Sequence, residues 1–210
     1  MANPYTDEVG IYHNKLGITD ADELKRVEYD LTTRRAQEIL AHRVDLGVQN
    51  FGLARQQAIH LHLFQDVYEW AGKVRTVPSS RRMDNGMVSV FAEPADLEPR
   101  WRTLEKKTHA YITTGGLTFA QKREALTGIF IEANHLHPFP DGNGRSLQVF
   151  MKQLAQAQGI DLDYSKVNAE EWNHASAVSG THGELFEHMH LIPVKPDLEP
   201  ISKIFQKIVS

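Results

Sequence analysis

Nine residues, His137-Pro-Phe-Pro-Asp-Gly-Asn-Gly-Arg145, constrain this chain more than any other part of it. An apolar helical pattern ends just before them and another begins just after. The fold must therefore join two helices through a tight turn. Pro138 disfavours helix at His137. Gly142 and Gly144 permit unusual dihedrals and let the backbone approach a ligand closely. The same stretch holds an imidazole, a carboxylate and a guanidinium, which a purely structural turn would not need.

The chemistry follows from where these groups sit. A helix starting at or just after Gly144 offers unpaired N–H groups and a partial positive charge, the elements of a phosphate site. Asp141 would repel phosphate directly, so it makes sense as a ligand for Mg²⁺ bridging to phosphate oxygens. Arg145, in the first turn of the second helix, can make a bidentate contact to a phosphate tail. His137, on the opposite lip, can accept a proton at neutral pH. Together they predict attack by a hydroxyl on a metal-bound nucleotide phosphate. Phe139 reads as a core anchor that fixes the turn.

Composition narrows the setting. The 210 residues carry 23 basic and 27 acidic side chains, a net charge of −4. That length suits one sizeable domain, and mild acidity argues against nucleic-acid binding through a broad basic surface. There is no cysteine, which removes disulfides and thiolate metal sites. The N-terminus lacks the basic-then-apolar pattern of a signal peptide, and the most apolar stretch, Leu126 to Ala133, is too short to span a bilayer. The expectation is a soluble, cytoplasmic protein without membrane or nucleic-acid partners.

Periodicity predicts an all-α domain carrying one β-hairpin. Thr19-Asp-Ala-Asp22 reads as a capping-box-like start for a helix with Leu24, Val27 and Leu31 inward, closing near Leu40. A second helix is expected over Leu53–Trp70, stopping at Gly72. Lys73–Val77 and Met87–Phe91 alternate with period two and predict a long-looped hairpin over about residues 73–91. Helices follow from Pro94 to Tyr111, from the Thr118-Phe-Ala-Gln121 capping box to Pro138, and through Leu147, Phe150 and Leu154 to Gly159. Asn168-Ala-Glu-Glu171 caps a shorter helix, and another is expected over Gly183–His190. Pro193, Pro196 and Pro200 predict an extended tail or linker over 191–210, leaving residues 1–190 as the domain.

At the nine-residue turn the chain resembles the Fic family, whose pattern His-Pro-Phe-x-(Asp/Glu)-Gly-Asn-Gly-Arg is matched throughout by His137 to Arg145. The resemblance covers Tyr5 to His190. It implies a helical Fic fold and an adenylyltransferase, moving AMP from ATP to a Tyr, Thr or Ser hydroxyl of a target protein. It implies His137 as general base and Asp141 as the Mg²⁺ ligand at the α- and β-phosphates. Gly142, Asn143 and Gly144 would be the anion nest and Arg145 the phosphate-tail contact. It also implies that the hairpin, residues 73–91, is the flap that aligns a target segment by β-augmentation. Family members act as bacterial toxins, as effectors delivered into host cells, or as housekeeping regulators.

Two departures stand out. Many members carry a second arginine three residues after the first, where this chain has Gln148, a neutral amide that cannot replace a bidentate cation. The family's inhibitory pattern (Ser/Thr)-x-x-x-Glu-(Gly/Asn) is absent; Thr19-Asp-Ala-Asp-Glu23 is followed by Leu24. An inhibitory glutamate would then come from a small antitoxin-like partner or not be used. Competing readings are transfer of UMP, phosphocholine or phosphate, and, because of Gln148, a non-catalytic binding module. The Gly-Asn-Gly-Arg sequence favours AMP transfer over the kinase-like variant.

The pairs His60/His62, His135/His137 and His188/His190 lie two apart, so on a helix they cannot chelate one ion. Lys73, Arg75, Arg81 and Arg82 read either as a solvated basic loop or as contacts to a target or the ATP edge. Trp101, Leu104 and Tyr111 form a core stripe. Glu171-Trp172-Asn173 reads either as part of a capped core helix or as a border of an adenine pocket.

Overall fold

The computed structural model describes residues 3–83, 86–186 and 190–210. Helices dominate: α1 (Ala21–Leu40), α2 (Leu53–Phe64), α3 (Pro94–Thr113), α4 (Phe119–Leu136), α5 (Asn143–Gln156), α6 (Ala169–Val178) and α7 (Glu199–Ile208). Strands β1 (Ser80–Arg82), β2 (Val88–Val90), β3 (His182–Phe186) and β4 (His190–Val194) form one antiparallel sheet in the order β1-β2-β3-β4. Aromatic and aliphatic side chains from all seven helices make one core, with Trp101, Phe130, Phe150 and Phe205 fully buried within it.

The helix that leads into the functional turn forms as its sequence predicts. Thr118 accepts from the Gln121 N–H, and the Gln121 side chain accepts from the Thr118 N–H, which satisfies two orphan donors. For α1 the cap is Asp20, whose carboxylate accepts from the Glu23 N–H at 2.8 Å, one residue later than expected. Its buried face is also displaced from the apolar spacing. Leu24 is buried, but Glu28 and Thr32 are the polar residues that follow it inward, while Val27 and Leu31 are only half-buried.

Helix α2 ends at Phe64, not at Trp70. Beyond it the chain turns, with the Val67 and Tyr68 N–H groups both donating to the Phe64 carbonyl. Residues two apart on a helix diverge; here the rings of Tyr68 and Trp70 stack at 4.1 Å, which requires the helix to have ended.

The hairpin also differs from expectation. Its first strand is Ser80–Arg82, not Lys73–Val77, with Arg81 opposite Ser89. The 73–77 run extends without a strand partner because its inward residue is Arg75, which bonds helix and loop carbonyls as described below. The hairpin is not isolated: Val88 pairs with Gly183 and Ser89 with His182, so β3 extends it. Strand β3 replaces the helix expected over Gly183–His190; residues 187–189 of that span lie outside the described residues. Gly183 makes the close pairing possible, because a Cβ there would lie 2.0 Å from the Ile192 carbonyl oxygen.

The segment 191–210 is neither extended tail nor linker. It completes β4 and then forms α7, whose Ile201, Ile204, Phe205 and Ile208 enter the core. Pro200 lies in the first turn of α7, where proline's missing N–H has no intrahelical acceptor to lose. Pro193 sits in β4 at the edge of the sheet, the place a sheet tolerates it.

Candidate active site

The turn between α4 and α5 is assembled from local bonds. His137 is the C-cap of α4, with φ of 46° in the left-handed region. Phe139 is fully buried. The Asn143 side chain folds back on it, accepting from the Phe139 N–H at 2.9 Å and donating to its carbonyl at 2.8 Å. Asn143 thus shapes the turn with its side chain and can meet an anion only through its backbone. Gly142, with φ of +73°, is the N-cap of α5; a Cβ there would lie 2.2 Å from the ring of Phe64. That position accepts glycine alone for two reasons, dihedral and space. The first-turn N–H groups of Asn143, Gly144 and Arg145 have no acceptor within α5.

His60 holds this turn from behind. It stacks on Phe139 at 3.8 Å and on Phe64 at 4.5 Å. Its Nδ1 accepts from the Gly72 N–H at 2.9 Å, so its Nε2–H donates to the Asp141 carbonyl, also at 2.9 Å. That pattern requires a neutral ring. Burial pushes its pKa down to about 3, with Arg145 adding to the effect and the Asp141 carbonyl opposing it. Above the ordinary value of 6.5 both folded and unfolded chains hold this ring neutral. Below it only the unfolded chain takes up the proton, so stability falls as pH falls, by about 1.4 kcal/mol per pH unit for one fully buried histidine. Urea midpoints are expected to decline between pH 6.5 and pH 5, before most carboxylates titrate, with His137, lowered likewise, adding to the effect; a flat profile there would contradict the neutral state of both rings.

The His137 ring lies half-buried, stacked on Phe91 from the loop after β2 at 3.6 Å and 8°. Its Nδ1 is sealed from solvent with no acceptor in good hydrogen-bond geometry. Burial chiefly, with help from the Arg75 and Arg81 guanidinium groups and His135, lowers its pKa to about 3; the Asn134 backbone opposes this. The imidazole is therefore neutral across the physiological range.

Arg75 is fully buried, not a solvated loop residue. Its Nε donates to the His137 carbonyl at 2.8 Å and its Nη1 to the Val77 carbonyl at 2.8 Å. Its Nη2 reaches the Ala92 carbonyl and, at 3.4 Å, the Leu136 carbonyl. One guanidinium thus caps the C-terminal end of α4 and ties both legs of the hairpin to it.

On the other side of the turn a cavity of about 470 Å³ opens beside Asp141 and Arg145. Asp141 Oδ1 accepts from the Gly142 N–H at 2.7 Å. Oδ2 has no partner among the described residues. One carboxylate facing a cavity suits Mg²⁺, which takes one or two protein carboxylates and completes its shell with water and substrate phosphates. No group of three or more His, Cys, Asp or Glu able to hold a metal alone occurs among the described residues. Arg145 pairs with Glu28 Oε1 of α1 at 2.5 Å, donates to Thr32 Oγ1 at 3.3 Å and lies 4.7 Å over the Phe64 ring. The Tyr68 hydroxyl donates to the second Glu28 oxygen, and burial with that carboxylate raises the Tyr68 pKa. Glu28 carries no inhibitory motif, yet it is an in-chain carboxylate seated on Arg145.

A second cavity, of about 540 Å³, lies between the hairpin and α6, lined by Arg81, Arg82, Met83, Glu170, Asn173 and His174. Arg81 and Arg82 sit on exposed β1. Of the three residues singled out on α6, only Asn173 reaches this cavity. Trp172 packs on Phe130 and Tyr164, and Glu171 pairs with Lys207. Gln148 lines neither cavity; its carbonyl accepts from the Tyr164 hydroxyl at 3.3 Å.

The turn thus brings together His137, Asp141, the α5 N-terminus and Arg145. Sequence reasoning missed His60, Glu28 and Tyr68 and misread Arg75. The available signals were a histidine between Ile59 and Leu63 on an apolar face, and an acidic residue one turn after Leu24.

A family model described as the Fic/DOC family matches residues 51–155. Protein adenylyltransferase VbhT of Bartonella schoenbuchensis is 36% identical over 179 residues, 84% of this chain and 36% of that protein. The chain therefore spans about a third of that relative's length. An Escherichia coli K12 protein named "Probable protein adenylyltransferase Fic" is 30% identical over 200 residues, 95% of this chain and 88% of that protein. Among solved structures, the N-terminal Fic domain of a VirB-translocated Bep effector protein from Bartonella quintana, with bound ADP, gives a TM-score of 0.79 at 26% identity, covering 98% of this chain and 94% of that one. The BepC protein of Bartonella tribocorum, with bound AMPPNP, gives 0.76 at 25% identity, covering 98% and 96%.

Proposed function

Because the chain belongs to the Fic/DOC family, we propose that it is a protein adenylyltransferase, moving AMP from Mg-ATP to a Tyr, Thr or Ser hydroxyl of a target protein. The observation that carries this reading is a neutral His137 on the same turn as the open N-terminus of α5, Asp141 and Arg145.

His137 Nε2 takes the proton of the target hydroxyl as its oxygen attacks the α-phosphorus. The bond from that phosphorus to the bridging oxygen breaks, and pyrophosphate leaves. The N–H groups of Asn143, Gly144 and Arg145 meet the phosphate oxygens, and Arg145 meets the tail. Asp141 would hold Mg²⁺, which when bound neutralises developing charge on the phosphates. The cavity between the hairpin and α6 supports a place for the base, with Asn173 and Arg82 at its wall. β1 is exposed and ends the sheet, so its free edge supports pairing with an extended target segment. Phe91, lying on the His137 ring, ties this flap to the base.

Two of the similar solved structures are named VirB-translocated effector proteins, which supports a host-directed effector as the biological setting; a bacterial toxin is the alternative. Incubating the protein with Mg-ATP and bacterial or host lysate, followed by intact mass of the modified band, tests the activity and separates these settings. The expected gain is one adenylyl group on a hydroxyl residue. A uridylyl, phosphocholine or phosphate increment would replace the proposed donor, and no increment despite ATP binding would favour a binding module.

A further inference from the structure

Six residues of the cavity beside the turn bear on what it could hold: Tyr12, Lys25, Glu28, Tyr68, Asp141 and Arg145. Two of its lining residues are cations, and they are not equivalent. Arg145 is already compensated by Glu28 at 2.5 Å and is further held by Thr32 and Phe64. Lys25 is exposed and makes no hydrogen bond or ion pair among the described residues. It lies three residues before Glu28 on α1, so both project from the same face of the helix.

A triphosphate is a polyanion, and this cavity contains two carboxylates, Asp141 and Glu28, against its two cations. An ion on Asp141 would offset one carboxylate. Arg145 keeps N–H donors but little net charge while Glu28 sits on it. The neutral Gln148 lines neither cavity. Among the described residues, the one uncompensated cation facing this space is Lys25, whose long stem lets a point charge follow a flexible phosphate.

We propose that Lys25 binds the donor phosphate farthest from the transferred group, supplying from α1 the charge that Gln148 does not supply from α5. This rests on the adenylyl-transfer reading and deepens it: α1 becomes the element that distinguishes a triphosphate from a monophosphate. Lysine at an exposed helix position is free to be replaced without disturbing the core.

The test is titration of Mg-ATP and of AMP into the wild-type protein and into Lys25→Glu, Lys25→Ala and Lys25→Arg. Lys25→Glu is expected to weaken Mg-ATP binding about tenfold or more, the scale of one charge-assisted phosphate contact. Lys25→Ala should fall between it and wild type, Lys25→Arg should stay near wild type, and AMP affinity should be the same in all four. Mg-ATP binding by Lys25→Glu that equals wild type would overturn the assignment, as would an equal loss for AMP. Wild-type protein that binds neither nucleotide would overturn the adenylyl-transfer reading itself, a result plainly different from wild-type binding that Lys25→Glu leaves unchanged.

Discussion

Replacing His137 by Asn should leave a folded protein that binds Mg-ATP and transfers its adenylyl group about 10²–10⁴-fold more slowly. Asparagine is the informative choice because His137 has φ of 46°, a conformation that costs most residues energy but that Asn tolerates. Asparagine also lacks a basic nitrogen, so the proton on the attacking hydroxyl has nowhere to go. The bond from the Arg75 side chain uses only the backbone carbonyl of residue 137 and should persist. Label transfer from α-³²P-ATP measures the loss, and a nucleotide-binding titration shows that the site survives. Transfer at the wild-type rate would remove His137 from the chemistry. The low pKa adds a second signature: the wild-type rate should show no inflection near the ordinary histidine value of 6.5, since the ring is neutral well below it.

Arg75→Met should destabilise the fold by about 3 kcal/mol or more, because it removes a buried charged donor from the carbonyls of Leu136, His137, Val77 and Ala92. For a chain of this size that is roughly a 6–12 °C drop in melting temperature. Arg75→Lys is expected to rescue little. An ammonium is a point donor, and it cannot reproduce a planar fork whose nitrogens reach carbonyls on both sides. The defect should reach function as well, since the same guanidinium joins the hairpin to the residue that caps α4. Wild-type melting in Arg75→Met would show that the carbonyls find other partners.

These two residues illustrate what a sequence exposes and what it hides. His137 is legible because its neighbours along the chain are its partners in space: the turn is built within nine positions, and glycine, proline and helix-cap rules act locally. Arg75 is not legible, because the carbonyls of Leu136 and His137 that it satisfies lie some sixty positions away. In sequence it looks like one of four basic residues in a polar loop. The same holds for Glu28, whose partner Arg145 is over a hundred positions distant. Apolar periodicity passed over it in favour of Val27 and Leu31 because burial of a charge cannot be read without its counter-charge.

Strand and helix boundaries divide along the same line. The Thr118–Gln121 capping box and the Asn168 cap are short-range bonds, and α4 and α6 begin where those residues place them. The span 183–190 has no comparable local signal; β3 forms because β2 and β4 present edges on either side of it. Helix α7 was obscured by three prolines, yet Pro200 starts it, and its Ile201, Ile204, Phe205 and Ile208 spacing finds a surface on α4 and α6 only once those helices are placed.

The sequence by itself determined the parts of the proposed site: an imidazole, a carboxylate, a glycine turn at a helix start and a guanidinium in one contiguous stretch, because each is placed by short-range backbone geometry. Only the tertiary structure decided their condition. It sealed Nδ1 of His137, locked His60 as a neutral wedge behind the turn, buried Arg75 as the joint between helix and flap, and set Glu28 against Arg145. Those are consequences of desolvation and of charges meeting across distant segments, and neither exists until the chain is folded.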